Sequence, residues 1–474
     1  MCEKMKTTYA RICIFTSLCF SIFFYSEKSS AQIMINSGLE LAPKLEYAKP
    51  LPKNLPFFPT GVLPRYQTFY GDPGHVRNFL ADKGIVTSID YRSLINGNVT
   101  GGIQRTSAVA NQIALTVDIN WAKLLHIPGL TSYFAGINRF GSNLSTHTGN
   151  SLVRAENFLV SSSGDSPMHL AYAYFDERFA HGRASIALGR FPVGMTFGSS
   201  PLNCNFVGNA LCGNVKALTG KDISYTVFPN SSWASRFTFY LKRNMYIQSG
   251  LFSIDQTADS GSLFDRTGWK WSTRHITGWT SPFEIGYIPL IGARQLIGHY
   301  KAGFSYAHAQ YTTFDGQLYK NRPTSIGYKT KFWLMADQML LRQGSGLDTG
   351  LIVAAAFVRN QHDVSTYGDQ AIISVVDRGF WHQRPTDALG FLVSTLWISP
   401  NLSRLQKRQY KNGERISGGV TTPQNSEQNF ELFYDGLIVP GIRMEPDIQY
   451  IIHPNAQRSI PDSLVLNLMV RVYL

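Results

Sequence analysis

The chain of 474 residues has no long hydrophobic run beyond its N-terminal segment. After residue 31, no stretch offers the roughly 18 consecutive uncharged apolar residues that a membrane-spanning helix requires. The mean hydropathy of −0.10 also argues against a helical membrane protein. Any membrane-spanning part of this chain would therefore have to be built from strands.

The N-terminal segment has the pattern of a secretory signal peptide. Basic residues precede the apolar run Ile12–Phe24, which is too short to span a membrane. Ser29 and Ala31 then have the small-residue spacing that signal peptidase accepts. We therefore expect residues 1–31 to be removed on export, so that the mature chain begins near Gln32.

Cysteine is scarce, and three of the five cysteines lie in the predicted signal peptide. The other two, Cys204 and Cys212, have no histidine between them and so do not indicate a zinc site. Two cysteines this close in an exported chain predict a disulfide, which would stabilise its loop by roughly 2–3 kcal/mol. We expect no metal site and no cofactor.

Acidic residues are outnumbered, with 31 Asp and Glu against 44 Lys and Arg. The predicted signal peptide carries four positive and two negative charges, so the mature chain keeps a net charge of +11. The basic residues are scattered, and no run of them resembles a nucleic-acid-binding patch. A scattered excess of this sign would favour anions inside a pore, or anionic lipid at a membrane surface.

Apolar and polar residues alternate through most of the mature chain, most clearly in its last thirteen residues. In Asp462–Leu474 one face is wholly aliphatic, and the other carries Asn467 and Arg471. A period of two predicts a strand and not a helix. A strand of about ten residues with an unbroken apolar face fits either a soluble sheet or a barrel wall in lipid.

The preceding segment decides between these two structures. Arg443, Glu445, Asp447 and Gln449 occupy successive positions on one face, and apolar residues occupy the other. In a dry core each unpaired charge costs several kcal/mol, whereas a water-filled channel tolerates it. The pattern therefore favours an all-β protein, a transmembrane antiparallel β-barrel, over a soluble sandwich or lectin. About sixteen such segments can be counted, and an even number suits a barrel with both ends in the periplasm.

The chain divides into three predicted parts. The signal peptide is followed by a proline-rich periplasmic extension over residues 32–72 and a barrel domain over residues 73–474. A short helix over residues 73–83 should open the barrel domain, with Asp72 as N-cap and an apolar stripe of Val76, Phe79 and Leu80. The polar stretches predicted as external loops are Leu202–Gly220, Asp255–Thr277, Asp363–Pro385 and Ser403–Ser426, and the predicted periplasmic turns include Lys242–Asn244 and Gly436–Gly441.

Several segments resemble one family in the right order and over nearly all of the mature chain. They are Tyr70–Gly102, Leu188–Phe197 with the loop containing Cys204, Cys212 and Gly213, Gly298–Tyr306, Asp337–Gln338, Gly350–Leu351, Arg384–Gly390 and Glu431–Pro454. The ordered set resembles the carbohydrate-selective porins of the OprB family. The resemblance implies a sixteen-stranded outer-membrane barrel of a Gram-negative bacterium, through which monosaccharides such as glucose diffuse passively.

The resemblance also implies partners. These are small sugars, outer-membrane lipid and lipopolysaccharide, and the barrel-assembly machinery, with no role for nucleic acid. Family members act as monomers or trimers, so the oligomeric state stays open between the two.

We predict that the substrate pathway is lined by inward-facing charged and aromatic side chains. They are Asp90, Arg92, Asp118, Arg236, Lys331, Trp333, Asp337, Glu431, Arg443, Glu445 and Asp447. Charged groups would supply donors and acceptors to sugar hydroxyls, and aromatic rings would supply flat apolar surfaces. The competing interpretation is that most of them are ion pairs that stiffen the barrel. The loop with Cys204 and Cys212 would either fold inward as a constriction or form an external cap.

Two other functions remain as alternatives. A general or anion-preferring porin, admitting acidic sugars, would share the same fold. An outer-membrane hydrolase would need a catalytic dyad, for which His299, His308 and several serines are available. The chain has no Gly-x-Ser-x-Gly element, and His308 falls on the apolar face of its strand. We therefore do not expect an enzyme.

Overall fold

The computed structural model describes residues 68–150, 152–157, 168–211, 213–220, 222–255, 268–344 and 349–474, without the side chains of residues 146, 201 and 204. The predicted signal peptide and nearly all of the proline-rich extension lie outside the described residues.

Strands make up most of the described chain, and sixteen of the described strands form the wall of a barrel. They are β1 (Ile85–Thr100), β2 (Ser107–Asn120), β3 (Leu130–Gly141), β4 (His169–Phe179), β5 (Ala184–Phe191), β6 (Ser232–Lys242), β7 (Met245–Asp255), β8 (Ile276–Tyr287), β10 (Leu296–Thr312), β11 (Ser325–Arg342), β12 (Gly350–Asn360), β13 (Tyr367–Arg378), β14 (Ala388–Ile398), β15 (Ser426–Val439), β16 (Ile442–Ile452) and β17 (Ser463–Tyr473). The two-residue strand β9 (Leu290–Ile291) pairs with the start of β10.

The sheet closes on itself. Each wall strand pairs antiparallel with the next wall strand in the chain, and β1 pairs with both β2 and β17. At the closure Asp90 lies opposite Tyr473 and Leu94 lies opposite Met469. Closure leaves no strand edge of the described wall unpaired. A sheet that spans a bilayer requires this, because backbone groups find no hydrogen-bond partners in hydrocarbon. The predicted antiparallel barrel of about sixteen strands is confirmed.

The helices are short and lie between strands or before β1. The α-helices are α1 (Val76–Asp82), α2 (Trp121–Leu125), α3 (Ser145–Thr148), α4 (Lys216–Thr219), α5 (Phe314–Leu318) and α6 (Pro400–Lys411), and 3-10 turns cover Pro73–His75, Ala180–Gly182, Val193–Met195, Pro201–Asn205 and Pro454–Ala456. No described helix is both long and apolar enough to cross a membrane.

The predicted short helix before the first strand is present. Pro73–His75 forms a 3-10 turn, and α1 continues from Val76. Asp72 accepts hydrogen bonds from the backbone N–H groups of Arg77 (2.9 Å) and Asn78 (3.2 Å), so it satisfies donors that a helix start leaves free. The predicted stripe is not buried, because Val76 and Phe79 are exposed at the protein surface.

The two faces of the wall differ as the period of two predicts. Large apolar side chains such as Phe304, Ile373 and Leu466 are exposed on the outer face. Their neighbours along the strand, including Ser305, Ile372 and Val465, are buried inside the barrel. Aromatic residues lie toward both ends of the outer face, for example Tyr287 beside Tyr300 at one end, and Tyr306 beside Tyr328 at the other. Such a belt is typical of a wall in contact with lipid.

The connections at the two ends differ in length. We call the end where β1 starts and β17 finishes the turn end; its connections include residues 180–183, 243–244 and 440–441. We call the opposite end the loop end; its connections include residues 142–168, 192–231, 256–275 and 399–425. The predicted turns at Lys242–Asn244 and Gly436–Gly441 fall at the turn end, although the second is shorter than predicted.

Two of the predicted external loops differ from the structure: Leu202–Gly220 bonds inward side chains of the wall, and Asp363–Pro385 contains a strand. Asp363–Pro385 was expected as an external loop, but β13 crosses the wall within it, from Tyr367 to Arg378. Aliphatic residues occupy both faces at its centre, as with outward Ile373 and inward Ile372. Because the charges stand only near the ends of this strand, the alternation is masked in the sequence.

Candidate functional site

The connection over residues 192–231, here called the inner loop, folds into the barrel. It leaves β5 and returns to β6, and it contacts wall strands from β7, the neighbour of β6, to the distant β15. Gln248 on β7 donates to the carbonyl oxygen of Thr196 (2.8 Å), and the Gly198 N–H donates to Glu284 on β8 (2.8 Å). On β15, Glu431 accepts from the N–H groups of Val207 (2.6 Å) and Gly208 (2.9 Å). The loop therefore lies inside the barrel and is not an external cap.

The middle of the inner loop is fixed to the wall strands between these points. Lys301 on β10 donates to the Ser199 carbonyl (2.5 Å), and Lys331 on β11 donates to the Leu218 carbonyl (2.6 Å). Gln370 on β13 accepts from the Ala217 N–H (2.7 Å). Wall side chains thus satisfy backbone groups that a buried loop would otherwise leave unpaired. The Cys204–Cys212 disulfide lies outside the described residues and stays a prediction.

Asp222 fixes the returning end of the inner loop. Its carboxylate lies 2.7 Å from the Lys331 ammonium and 2.9 Å from that of Lys329, and all three side chains are buried. Burial alone would raise the pKa of Asp222, but the two lysines hold that pKa well below its usual range. The carboxylate is therefore ionised at every physiological pH and bridges two cations that would otherwise repel each other.

Aromatic contacts seal the inner loop against the wall. Phe206 packs edge-on against Phe433 of β15 with ring centres 5.2 Å apart, and Tyr225 packs against Trp333 of β11 at 6.1 Å. Trp333 is fully buried and donates its indole N–H to Glu284 (2.9 Å). The loop therefore covers Trp333, which is predicted to offer a surface to sugar, and it also covers Phe433.

Glu284 anchors the inner loop, and the sequence pattern does not single it out. It accepts from the Gly198 N–H, from the Tyr246 hydroxyl (3.0 Å) and from the Gln248 amide (2.9 Å), besides the indole of Trp333. One buried carboxylate thus joins three wall strands to the inner loop. The signal for it was a single acidic residue at an inward position of an otherwise uncharged strand.

A second segment, made of residues 142–150 and 152–157, also lies inside. Gln449 on β16 donates to the Ala155 carbonyl (3.0 Å), and the Asn209 N–H of the inner loop donates to the Arg154 carbonyl (2.8 Å). Glu156 is buried and accepts from the backbone N–H (3.1 Å) and hydroxyl (2.6 Å) of Ser145. Burial raises the pKa of this carboxyl group. The two inward segments therefore support each other.

The charged stripe of β16 is inward as predicted, but its environment differs from the expected open water. Arg443 bonds Asp435 of β15 (2.9 Å), and Glu445 bonds Arg471 of β17 (2.5 Å). Asp447 accepts from Asn467 (2.5 Å). Arg443 and Glu445 are only 7% and 1% exposed. Partners on adjacent strands compensate these charges, which is how a buried charge avoids most of its desolvation cost.

Charges that remain accessible inside the barrel cluster on β1 and β17. The Arg92 side chain is 31% exposed and bonds Asp90 (2.8 Å), whose side chain is 13% exposed. Arg92 lies opposite Arg471, which lies opposite Arg443. On the other side of Arg92, Gln112 of β2 accepts from Arg139 of β3 (2.8 Å). We call Arg139, Arg92, Arg471 and Arg443 the arginine row; it crosses the interior surface of five strands, from β3 to β16, with Gln112 at the position on β2.

The predicted pathway residues all lie on inward positions, but in different surroundings. Asp90 and Arg92 belong to the accessible cluster, and Arg443, Glu445 and Asp447 to the paired network beside it. Lys331, Trp333 and Glu431 hold the inner loop, and so does Asp337, which accepts from Ser200 (3.2 Å). Arg236 forms a buried ion pair with Asp176, and Asp118 is buried on β2. The structure thus separates accessible charges from loop anchors.

The two histidines considered for a catalytic dyad have different surroundings. His299 is buried against Asp337 (2.5 Å), whereas His308 is exposed on the outer face beside Trp279. Among the described residues, no three His, Cys, Asp or Glu side chains are grouped so that they could hold a metal ion.

Comparisons with known proteins agree with this geometry. The sequence pattern of the family described as carbohydrate-selective porin, OprB family, matches residues 104–473. Porin B of Pseudomonas aeruginosa is 25% identical over 422 residues, which cover 86% of this chain and 91% of that protein. The high-pH structure of Pseudomonas putida OprB is similar with a TM-score of 0.78 at 23% identity, covering 87% of this chain and all of that one. The low-pH structure of the same protein gives a TM-score of 0.53 at 18% identity, with 86% and 98% covered.

Proposed function

Since the chain belongs to the OprB family of carbohydrate-selective porins, we propose that it lets monosaccharides such as glucose diffuse passively across the outer membrane. The observation that carries this proposal is the division of the interior. The inner loop is hydrogen-bonded to the wall from β7 to β15, and its Val207 packs with Leu94 of β1 and Met469 of β17. The accessible charges of Asp90 and Arg92 lie on β1, nearer the turn end than that contact. A sugar would pass along that side.

The accessible cluster has the chemistry that a sugar needs. Arg92 and Arg471 offer several N–H donors, and Asp90 offers acceptors. A sugar hydroxyl can therefore replace its hydrogen bonds to water with bonds to these side chains, both as donor and as acceptor. Tyr473, opposite Asp90 on β17, adds an aromatic surface for the C–H face of the ring. Each contact must be weak and serial, because a solute that binds tightly does not leave.

Conductance of the refolded mature protein in a planar bilayer tests the proposal. Glucose should reduce the current saturably, and Arg92→Ala should weaken this block about tenfold, since a lost bond to a charged group costs about 1.5 kcal/mol or more. Arg359→Ala is the matched control, because Arg359 pairs with Asp369 (3.0 Å) on the outer face. Stable channels whose current no sugar affects would remove the monosaccharide proposal.

The arginine row favours a second candidate, a pore that prefers acidic sugars. Its four arginines lie at inward positions of β3, β1, β17 and β16, and Arg92, Arg443 and Arg471 bond the carboxylates of Asp90, Asp435 and Glu445. A negatively charged sugar would be attracted to such a row. Reversal potentials in a salt gradient test this: an anion preference that falls in Arg92→Ala supports it, and no preference for anions refutes it.

We further propose that residues 1–31 are cleaved on export and that residues 32–72 remain in the periplasm before the barrel, which the assembly machinery inserts as a monomer or trimer. Mass spectrometry of the protein from outer membranes should give an N-terminus near Gln32. The same spectra, with and without reductant, would reveal a Cys204–Cys212 disulfide as a mass difference of two hydrogens.

A further inference from the structure

Helix α6 is the longest helix in the described chain, and it lies at the loop end above the wall. It begins directly after β14, where the Ser399 hydroxyl caps it by accepting from the N–H groups of Asn401 (3.2 Å) and Leu402 (3.4 Å). Asn401 donates to Asp363 in the β12–β13 connection (3.4 Å). One turn from its other end, Arg408 donates to the carbonyls of Leu318 and Gln317 in the β10–β11 connection (2.8 Å each). The helix therefore runs over the ends of β10 to β13.

The two faces of α6 are sharply different. Leu402, Leu405 and Gln406 are buried against the protein. Arg404, Lys407 and Lys411 are exposed. Their spacing of three and four residues places them on one stripe, opposite the buried face. We call these three side chains the basic stripe. Since the buried face packs toward the barrel, the basic stripe points away from the interior.

The basic stripe is only weakly neutralised. Arg404 lies 3.8 Å from Asp315, but its side chain is 55% exposed, so water screens that pair. Within the described ranges, no carboxylate oxygen lies within 4.0 Å of the ammonium groups of Lys407 or Lys411. The connection over residues 399–425 adds Arg408 and Arg415 and contains a single acidic residue, Glu414. This part of the surface therefore keeps a positive charge.

An aromatic belt marks the lipid level beneath α6. Trp279 of β8 lies opposite His308 of β10, which lies opposite Tyr328 of β11, and all three are exposed on the outer face near the loop end. Trp397 of β14 occupies the same face, just before α6 begins. Aromatic rings of this kind sit at the boundary between hydrocarbon and headgroups. The basic stripe thus lies on the water side of that boundary, where lipid headgroups are.

We propose that the basic stripe binds the phosphate groups of the glycolipid in the outer leaflet. The long loops of outer-membrane barrels face outward from the cell, so α6 meets that leaflet. The positive charge of the basic stripe favours a phosphorylated headgroup, and the aromatic belt beneath it can pack against the apolar part of the glycolipid. The proposal rests on the membrane placement of the proposed function, but not on the solute that the pore admits.

Binding of purified lipid A to the full mature protein in detergent tests the site. Bisphosphorylated lipid A should bind wild-type protein about 10- to 100-fold more tightly than the variant Arg404→Gln/Lys407→Gln/Lys411→Gln, since each cation near a charged headgroup contributes severalfold. The wild type should also prefer bisphosphorylated to dephosphorylated lipid A. The matched control is Arg105→Gln/Arg274→Gln/Arg458→Gln, which removes three exposed charges from other connections at the loop end.

The control variant should bind lipid A within about twofold of wild type. Equal binding by wild type and the stripe variant, or no preference for phosphates, would overturn the proposal. Conductance distinguishes the lipid-binding proposal from the proposed sugar pathway. The stripe variant should form channels whose block by glucose and whose reversal potential are those of the wild type. A changed reversal potential with unchanged lipid binding would assign the stripe to free anionic solutes and would also overturn the proposal.

Discussion

We expect single side chains in the barrel interior to hold the inner loop in place, and Asp222 is the clearest example. Asp222→Asn would leave Lys329 and Lys331 buried beside each other without a full negative charge. Removing one member of a buried ion network costs about 3 kcal/mol or more. We expect a lower urea midpoint and a larger, noisier conductance. Asp369→Asn, in an exposed ion pair on the outer face, should change neither.

The same residue predicts a pH dependence. Because the folded-state pKa of Asp222 is depressed, its contribution to stability is present above the unfolded pKa and is lost only as pH falls through the folded pKa. That window lies in strong acid. Urea midpoints between about pH 7 and about pH 4 should therefore show no loss traceable to Asp222, measured as the difference between wild type and Asp222→Asn.

Glu156 should behave in the opposite way. Its folded-state pKa is raised by burial, so its contribution to stability is full below the unfolded pKa and is lost as pH rises through the folded pKa. Glu156→Gln keeps an oxygen for the Ser145 N–H and removes the buried charge. We expect the variant to match wild type near pH 4 and to unfold at higher urea near about pH 8. A difference that does not change with pH would contradict this.

At the scale of elements, glycines in the wall make room for the aromatic residues that hold the inner loop. Gly390 of β14 lies opposite Phe433 of β15, and a Cβ on Gly390 would overlap the Phe433 ring. Gly390→Ala should therefore displace Phe433 from Phe206, lower the free energy of unfolding by about 1–3 kcal/mol and increase conductance. Gly327→Ala is the control, since a Cβ there meets nothing within 4 Å.

Elements with one charged face could be predicted from the sequence. The alternation in β16 and β17 is strong because inward charges contrast with outward aliphatic residues, and the Asp72 cap with Pro73 placed the helix before β1. The strand β13 was missed because Ile372 and Ile373 give both faces the same character. The inward polar residues Gln370 and Ser374 are uncharged and lie among aliphatic residues, so the period is weak in the sequence.

The candidate site could be predicted only as a set of inward positions. Period two placed Arg92 and Glu431 on the same side of the wall, but it could not tell that Glu431 binds loop backbone whereas Arg92 stays accessible. That distinction depends on where the inner loop goes, and Val207 meets Glu431 across more than 200 residues of chain. Contacts of that range leave no local pattern.

At the scale of the whole molecule, the fold depends on closure between the first and last strands. Deleting residues 463–474 would remove β17 and leave the edges of β1 and β16 unpaired, which lipid does not tolerate. We expect no compact barrel, seen as the loss of the heat-dependent shift in gel mobility. Removing Leu474 alone deletes one backbone hydrogen bond, to the Ile89 carbonyl (2.9 Å), and should keep the barrel.

The anchoring of the inner loop also limits how this pore can evolve. Shortening the loop would widen the passage, but it would leave Glu284, Glu431 and Lys331 without the backbone groups that they now bind. Exchanging Arg92 alters the passage without that loss. Selection of a mutant library for uptake of larger saccharides should therefore enrich changes at Arg92 and Arg471 before deletions in the loop. A change in the sugars that the pore admits should therefore arise from substitutions along the passage and not from a shorter inner loop.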